Sequence, residues 1–510
     1  MQDWSLPGVA VAVVQAGGGT TLKTYGKRQW DRELPLTERS MFGIASVTKT
    51  FVAAGVALLE QDGKLDYDDP VIRHLPEFRV QDPWVTAHVT IRDLLAHRSG
   101  IASHGDFFEE LPDLDENAAV RMLASYGQSM PFRAGAQYSS YTYIVLDRII
   151  ERLSGKPWGQ FLRERLWQPL GMRDTYAHAF EFVPPQNVLP TGDGWLGSMP
   201  TGLAAVGPEV DVAAPHVRWE AFFGGKAFYD RRELENGTVH FHRTVIDSGQ
   251  GVFSSIRDMA AWASLLLAGG DERTLQPGTL RDMLQLTSLE ARDWPFDVPA
   301  QAQARERVRD VGFGLGIAIY HRGQRVLFGH SGSELGYLSW MLVDPRAGLA
   351  VVILTNNFAY ARGSVPALME TVLDWHYDQP KYDWSSHYKE ASRRNYAESR
   401  AGLDRITKPM PGDRSGAPAV DALVGEYHSP LTGMLRIEAR GSGLVATTGR
   451  SYEIELQHLR RNAYFGHVVS PMRIPMLVTF DLDTAGRATG LHLERAGDSD
   501  ERLDYARQTP

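Results

Sequence analysis

Two kinds of hydrophobic spacing alternate along this chain of 510 residues. Alternating or continuous apolar runs occur near the N-terminus and again over 313–355, and they predict strands because successive side chains of a strand point to opposite faces. Between these regions apolar residues recur every three or four positions, which predicts helices. The predicted elements are a hairpin of 8–14 and 21–28 across Gly17-Gly18-Gly19, helices over 46–61, 90–100, 141–153 and 365–377, and a strand-like turn leading into a helix over 251–270.

Strand-like runs therefore stand at both ends of residues 1–378, with a helical middle between them. Four such runs lie within 313–355 and are separated by Gly, Pro and polar turns: FGLGIAIY, QRVLFGH, GYLSWMLVD and LAVVILT. This order predicts an α+β fold, in which an antiparallel sheet assembled from both ends of the segment is flanked by helices and carries a helical subdomain.

The chain changes character twice after this first predicted domain. Residues 379–418 are polar, include KPMPGDRSGAP and are predicted to form an irregular linker. Residues 419–510 show short alternating segments with Gly or polar turns, such as MLRIEA and YEIELQHL. They predict a small C-terminal all-β domain, either a closed barrel or a sandwich.

Composition and charge exclude several classes of function. The net charge is −9 and there is no basic run, which argues against a nucleic-acid partner. The absence of cysteine excludes disulfides, thiol nucleophiles and Cys-ligated zinc. No apolar stretch reaches the roughly 18 residues of a membrane span. The opening MQDWSLPGVAVAVV lacks the basic region of a signal peptide, so the chain as given is expected in the cytoplasm; an upstream leader would instead make it periplasmic or secreted.

A serine and a lysine stand one turn apart at the start of the first predicted helix. Ser46 and Lys49 share one helix face, since residues three apart are neighbours there. A hydroxyl is a weak nucleophile until a base takes its proton, and an amine beside it can do so. The N–H of Ser46 also belongs to the unpaired donors of the helix N-terminus, where a developing oxyanion is stabilised. The two residues are thus a candidate nucleophile and base.

Tyr138 is a second candidate for proton transfer. It begins Tyr138-Ser139-Ser140, directly before the predicted 141–153 helix. A tyrosine at a helix mouth can act as a general base when a nearby ammonium lowers its pKa by favouring the phenolate.

The third candidate group is His330-Ser331-Gly332, on a predicted strand. A glycine in a strand allows another part of the chain, or a ligand, to approach the backbone closely. The N–H of the next residue, Ser333, could then join that of Ser46 in holding an oxyanion.

Taken together, these residues resemble the serine beta-lactamase and penicillin-binding-protein superfamily, in particular its class C, esterase and peptidase S12 branch. The family order is S-x-x-K, then Y-x-N, then K-T-G or H-x-G; here Ser46/Lys49, Tyr138 and His330/Gly332 follow in that order. WSLPGVAVAV, FGIASVTKTF, TIRDLLAHRSGI and GVFSSIRDMA add to the resemblance, which covers residues 4–377.

The resemblance implies a beta-lactamase/transpeptidase-like fold and acyl transfer through an acyl-enzyme on Ser46, with Lys49 and Tyr138 moving the proton. His330 and Ser140 would position the substrate, and no cofactor or metal would be needed. The implied partner is a small molecule or short peptide, and a homo-oligomer stays open. The C-terminal domain is similar to the lipocalin-like domains appended to some amidases, aminopeptidases and peptide-cyclising relatives.

Two departures from the family pattern affect the expected substrate. Ser140 replaces the usual Asn, whose amide helps to position the lysine and a substrate amide. His330 replaces the lysine that attracts a substrate carboxylate, and histidine is mostly neutral at pH 7. Both favour an esterase, amidase or D-aminopeptidase-like hydrolase over an efficient beta-lactamase. An acyl-transferring or peptide-cyclising thioesterase and a weak beta-lactamase are the alternatives.

The sequence also allows other interpretations. Residues 329–333 are one residue short of the G-x-S-x-G elbow of α/β-hydrolases, but no helix start follows them. His240 and His242 could hold a metal, although two such histidines on a strand are more often surface residues. A binding module without turnover is a further alternative. Acidic residues that could serve a carboxylate hydrolase, or more simply form a solvated loop, are Glu109, Glu110, Asp113 and Asp115.

Overall fold

The computed structural model describes the following residues: 1, 4, 6–29, 32–102, 116–182, 188–196, 199–206, 210–215, 217–218, 239–242, 247–290, 308–334, 336–359, 363–407, 416–441, 443–448, 452–468, 475–495 and 502–508.

The described strands before residue 360 form one large sheet and three small ones. They are β1 (Gly8–Gln15), β2 (Gly19–Gly26), β3 (Met41–Gly43), β4 (Thr175–Tyr176), β5 (Val188–Leu196), β6 (Met199–Val206), β7 (Val217–Arg218), β8 (Val239–His242), β9 (Phe253–Ser255), β10 (Ser288–Leu289), β11 (Val308–Phe313), β12 (Ala318–Arg322), β13 (Arg325–Glu334), β14 (Tyr337–Asp344), β15 (Leu349–Thr355) and β16 (Phe358–Ala359). The large sheet has the order β10-β11-β12-β13-β14-β15-β1-β2. The small sheets are β3-β9-β4, β5-β6-β8 and β16-β7.

Every neighbouring pair in the large sheet is antiparallel. The N-terminal hairpin joins strands from the far end of the segment where β1 pairs with β15, with Val9 opposite Thr355. Strands β14 and β15 are buried along their whole length because helices cover one face and apolar residues pack on the other. This confirms the predicted antiparallel sheet assembled from both ends.

The described helices are α1 (Thr48–Gln61), α2 (Val71–His74), α3 (Pro83–His88), α4 (Ile91–Leu95), α5 (Glu116–Met122), α6 (Tyr141–Ser154), α7 (Trp158–Leu162), α8 (Asp247–Gln250), α9 (Ile256–Ala268), α10 (Pro277–Met283), α11 (Ser364–His376), α12 (Trp384–Thr407) and α13 (Val420–Leu423).

Helix α1 runs through the centre of the main hydrophobic core. Its residues from Thr48 to Leu59 are all buried, which explains why its sequence is apolar on nearly every side. The ring of Phe51 lies 5.0 Å from that of Trp262 in α9 and 5.7 Å from that of Trp167. The helix ends as predicted, with Gly63 in the left-handed conformation just beyond it. A central, fully packed helix gives its first turn a fixed position.

The C-terminal strands form a closed antiparallel barrel, as the sequence predicted. They are β17 (Gly425–Ser429), β18 (Gly433–Arg440), β19 (Gly443–Thr448), β20 (Tyr452–Arg460), β21 (Ala463–Val468), β22 (Pro475–Leu482), β23 (Ala488–Arg495) and β24 (Arg502–Arg507). The barrel closes between β17 and β24, where Tyr427 pairs with Arg507. Its interior is a separate hydrophobic core, and Leu431, in the turn between β17 and β18, packs against both this core and the main one.

The segment 379–418 corrects one expectation. It was predicted to be irregular, but it contains the 24-residue helix α12. The first turns of α12 are anchored because Trp384 and Tyr388 pack with Trp4 and Ala367. The domain boundaries at 378 and 419 stay a prediction.

Two smaller differences concern strands. The run FGLGIAIY, predicted as one strand, spans the end of β11, a turn at 314–317 and the start of β12. The small sheet β5-β6-β8 was not predicted at all. No helix among the described residues combines the length and hydropathy that crossing a membrane requires.

Candidate active site

Ser46 lies in a short helical turn, Ala45–Val47, that connects β3 to α1. Ala45 is fully buried and has a φ of +47°, in the left-handed region that a residue with a Cβ adopts only at a cost. The Ser46 side chain is half-buried. Its N–H belongs to the first helical turn, whose donors have no acceptor within the helix. This turn presents the hydroxyl at the edge of the core beside a free helix N-terminus.

The Lys49 side chain is completely buried, one turn after Ser46. Its ammonium donates to three oxygens: Ser46 Oγ at 3.3 Å, Ser140 Oγ at 3.1 Å and the carbonyl oxygen of Gly249 at 2.8 Å. A buried ammonium is tolerated here because each of its three N–H groups has an acceptor. The predicted nucleophile and amine are therefore within hydrogen-bond reach of each other.

Tyr138 and Ser140 reach this lysine from the loop that precedes α6. The Tyr138 ring centroid is 4.8 Å from Lys49 Nζ, and the ring is half-buried. Ser140 occupies the N-cap position of α6, yet its hydroxyl accepts from Lys49 instead of capping the helix. A positive charge beside a phenol favours the phenolate, so the arrangement suits a tyrosine that accepts a proton.

His330 lies on β13 with its imidazole buried, and its ring centroid is 6.1 Å from that of Tyr138. Its Nδ1 is 2.6 Å from the carbonyl oxygen of Ser331, which can only accept, so Nδ1 carries the proton. Burial, and then the charge of Lys49, lower the pKa of His330 to about 4. The imidazole is therefore neutral at pH 7, and its buried Nε2 presents a lone pair with no partner among the described residues.

Gly332 explains how β13 can approach the turn Ala45–Val47, which carries Ser46 and is called the serine turn. A Cβ at this position would lie 2.3 Å from the carbonyl oxygen of Ile44 and 3.1 Å from the Cβ of Ala45. The contact is reinforced where Ser339 Oγ, on β14, donates to the Ile44 carbonyl at 2.6 Å. Ser333 follows on the same strand and pairs with Leu338. The structure thus brings the strand end that carries Ser333 next to the turn that carries Ser46.

Two groups in the site were not identified as site residues from the sequence. His97 lies under Tyr138, with ring centroids 4.5 Å apart, and its Nδ1 accepts from the N–H of Ser139 at 3.3 Å. Its pKa is well below the usual value because of burial, then of electrostatic interactions with Lys49 and His330. Gly249 contributes only a backbone carbonyl. The motif TIRDLLAHRSGI contains His97, and that motif was the one signal that could have found it.

The alternative sites are weaker in the structure. Strand β13 continues through Glu334 and leads by a turn into β14, so the helix that a G-x-S-x-G elbow needs does not follow Ser331. Within the described residues no group of three or more His, Asp or Glu side chains could hold a metal ion. The side chains of His240 and His242, and the acidic residues at 109–115, lie outside what the structure describes.

A family model described as Beta-lactamase matches residues 1–369. The chain belongs to the beta-lactamase family. Among curated relatives, esterase EstB from Burkholderia gladioli is 31% identical over 388 residues, which cover 70% of this chain and 88% of the esterase. Penicillin-binding protein 4 from Amycolatopsis lactamdurans is 29% identical, over 69% of this chain and 81% of that protein.

Solved structures of the beta-lactamase family share the fold. The D-amino acid amidase from Ochrobactrum anthropi SV3 matches with a TM-score of 0.53 and 24% identity, over 73% of this chain and 96% of the amidase. The octameric penicillin-binding protein homologue from Pyrococcus abyssi matches with a TM-score of 0.54 and 20% identity, over 99% of this chain and 97% of its own. The match to the Pyrococcus abyssi homologue therefore extends through the C-terminal barrel. Family membership confirms the prediction of a serine hydrolase.

Proposed function

We propose that this beta-lactamase-family protein cleaves an ester or amide bond through an acyl-enzyme on Ser46. The observation that carries the proposal is the hydrogen bond from the buried Lys49 ammonium to Ser46 Oγ, at 3.3 Å, at the start of a helix. The names of the relatives support the bond type, since one is an esterase and another a D-amino acid amidase. The substrate is expected to be a small molecule or a short peptide.

In this mechanism Lys49 and Tyr138 share the proton of the Ser46 hydroxyl. As Ser46 Oγ attacks the substrate carbonyl, the proton passes to this pair; it is then returned to the leaving group. Because the two groups interact closely, the proton belongs to the pair and not to either residue alone. Water then attacks the acyl-enzyme and gives a proton to the pair; as the bond from the acyl carbon to Ser46 Oγ breaks, that proton returns to Oγ and the acid leaves.

The oxyanion of the tetrahedral intermediate would be held by the N–H groups of Ser46 and Ser333. The first lies at a helix N-terminus, where the peptide dipoles favour negative charge. The second lies on β13, which the small size of Gly332 allows to approach the serine turn. Loss of one such donor typically costs about 10²–10³ in kcat.

His330 would recognise a hydrogen-bond donor of the substrate or its leaving group. A lysine at this position offers only N–H donors and a positive charge, whereas the neutral His330 offers the lone pair of Nε2. A carboxylate near His330 would therefore gain little, which disfavours beta-lactams. An amide N–H, an amine or an alcohol would gain a hydrogen bond to a buried acceptor. This favours amides and esters of amine-bearing acids.

Release of the acyl group to a nucleophile other than water is the second candidate. A relative that is 26% identical over 84% of this chain and 73% of its own length is an unguisins hydrolase from Aspergillus campestris, and its name favours hydrolysis over transfer. The experiment measures hydrolysis and transfer to added amines on a panel of short-chain esters, D- and L-aminoacyl amides and nitrocefin. Its results would distinguish an esterase, an amidase, a transferase and a weak beta-lactamase.

The central test uses a p-nitrophenyl ester and a fluorophosphonate probe. Ser46→Ala should lose both ester turnover and the mass increase of the labelled protein while keeping its unfolding transition. Ser264→Ala is the matched control: it is the same change at a serine of helix α9 whose hydroxyl donates to the carbonyl oxygen of Ala260 at 2.7 Å. Unchanged turnover in Ser46→Ala would refute Ser46 as the nucleophile, whereas a wild-type protein with neither turnover nor label would leave a binding module as the better interpretation.

Self-association is a further part of the proposal. The Pyrococcus abyssi homologue that aligns with nearly the whole chain is octameric. We expect a mass in light scattering that is a multiple of the 56.8 kDa of one chain. A single-chain mass at micromolar concentration would contradict this part and leave the chemistry unaffected.

A further inference from the structure

A buried carboxylate lies behind the loop that carries Tyr138. Asp93, in α4, has a side chain with no exposed surface and accepts from two arginines. Arg98 Nε donates to Oδ1 at 2.6 Å, and Arg133 Nη2 donates to Oδ2 at 2.7 Å. The Arg133 Nε lies 3.0 Å and 3.1 Å from the two carboxylate oxygens. Asp93 also accepts from the N–H of Thr90 at 3.0 Å, so it is fixed to its own helix as well.

The loop that precedes α6 and carries Tyr138, residues 133–140, is called the Tyr138 loop. The two arginines are joined through the backbone at its start. Arg133 has a φ of +62°, a left-handed conformation that an arginine rarely adopts, and its N–H donates to the carbonyl of Arg98 at 2.9 Å. Such a conformation persists only when surrounding contacts impose it. The bidentate bond to Asp93 is one such contact, because it fixes the guanidinium at both ends of its planar fork.

His97 carries the same constraint to the other end of the loop. It too is left-handed, with a φ of +54°, and it lies between Asp93 and Arg98 in the chain segment that Asp93 holds. Its carbonyl accepts from the N–H of Gln137 at 2.6 Å, and its Nδ1 accepts from the N–H of Ser139 at 3.3 Å. These bonds bracket Tyr138, whose ring also contacts the tilted His97 ring, with the ring centroids 4.5 Å apart.

We propose that Asp93 is a positioning residue that sets the placement of Tyr138 through Arg98, Arg133 and His97. The inference rests on the proposed role of Tyr138 in proton transfer. Asp93 touches no reacting atom; its carboxylate binds the side chains of Arg98, next to the strained His97, and of Arg133, which is itself strained. A displacement of about 1 Å at a group that transfers a proton can cost about 10² in rate, so loss of the clamp should appear in kcat.

The test is a double-mutant cycle between Asp93→Asn and Tyr138→Phe, with p-nitrophenyl acetate as substrate. Rates are divided by the number of sites that a fluorophosphonate titrates, so unfolded protein does not count. Asp93→Asn should lower kcat by about 10–100-fold with KM within about threefold, and it should cost under about twofold in the Tyr138→Phe background. An equal loss in both backgrounds would overturn the proposal, because a merely structural role acts regardless of Tyr138.

Asp68→Asn is the matched control. Asp68 is an exposed carboxylate that also receives a bidentate bond, from Arg92 at 2.7 Å and 2.9 Å. Among the described residues no hydrogen bond joins it to the Tyr138 loop, and it acts on Arg98 and Arg133 only through longer-range electrostatics. The Asp68→Asn variant should therefore have the same kcat as the wild type. Deuterium exchange gives a second readout: the amides of Gln137 and Ser139 should exchange faster in Asp93→Asn and not in Asp68→Asn. Equal exchange in the two variants would also overturn the proposal.

Arg133→Asn serves if Asp93→Asn does not fold. Asparagine tolerates the left-handed conformation, so this variant removes the clamp without adding backbone strain. It should show the same dependence on Tyr138. The proposed hydrolase activity and the positioning role of Asp93 are tested separately, because fluorophosphonate labelling of Ser46 tests the hydrolase by itself. A Tyr138→Phe variant as active as the wild type would refute the proposed roles of both Tyr138 and Asp93, but not that of Ser46.

Discussion

Replacing Gly332 with alanine should separate β13 from the serine turn. The added Cβ would lie 2.3 Å from the Ile44 carbonyl oxygen and 2.3 Å from Ser339 Oγ, about 1 Å closer than an ordinary carbon–oxygen contact. The Ile44 carbonyl cannot yield easily, because it accepts from Ser339 Oγ at 2.6 Å and from the N–H of Val47 at 3.2 Å. The strand must therefore move away from the turn by about 1 Å.

Two magnitudes follow from this displacement. Overpacking at a buried backbone contact costs about 1–3 kcal/mol of unfolding free energy. Moving the N–H of Ser333 away from the oxyanion should lower kcat by about 10²–10³, the usual cost of one lost donor. KM should change less, because the substrate carbonyl in the ground state carries little of the charge that this donor stabilises.

The assay compares Gly332→Ala with Gly278→Ala. An added Cβ at Gly278, in the first turn of α10, meets no atom within 4 Å. Urea unfolding gives the free-energy change, and p-nitrophenyl ester turnover per titrated site gives kcat. We expect Gly278→Ala to be neutral or slightly stabilising and fully active. If Gly332→Ala behaves like Gly278→Ala in both measurements, the close approach of β13 to the serine turn is not what the site depends on.

Three further predictions concern the same site. Ala45→Gly should cost no stability in urea unfolding, although Ala→Gly usually costs about 1 kcal/mol, because glycine adopts the +47° φ freely; a loss above about 1 kcal/mol would contradict strain at this residue. Ser140→Ala leaves one N–H of Lys49 without its acceptor, so it should cost about 1–3 kcal/mol and slow fluorophosphonate labelling of Ser46; an unchanged labelling rate would exclude Ser140 from the site. Since the folded pKa of His330 is about 4, below its usual value, the unfolded chain takes up a proton first on acidification, and wild-type stability should fall between about pH 6.5 and 4. His330→Gln should reduce that fall by up to about 3 kcal/mol, and parallel pH curves for the two proteins would count against a neutral buried imidazole.

Much of the fold could be predicted because hydrophobic spacing reports burial directly. The hairpin, the helix at 141–153 and the closed barrel all appear where the spacing places them. Helix α12 was missed because its sequence is mostly polar and only its first turns are anchored, by Trp384 and Tyr388. The strand β5 was missed because its sequence, VLPTGDGWL, contains proline and glycine, which usually interrupt strands.

The candidate site was predictable only where the chemistry lies in a side-chain motif. Ser46, Lys49 and Tyr138 were singled out by residue type and order, and the structure brings them together. Gly249 was missed since any residue supplies a backbone carbonyl, and only the fold decides which one faces the lysine. The tautomer of His330 could not be predicted either, because it depends on the local geometry of one adjacent carbonyl.

The pairing of β1 with β15 has a consequence for biosynthesis. Strand β1, which contains Val9, cannot pair with β15 until Thr355 has been synthesised. At a ribosomal rate of roughly 5–20 residues per second, that delay is on the order of 20–70 s. During it the emerging N-terminal half exposes an unpaired strand edge and an apolar helix to the cell. A nascent chain of this protein should therefore depend on chaperones more than one whose neighbouring strands are adjacent in sequence.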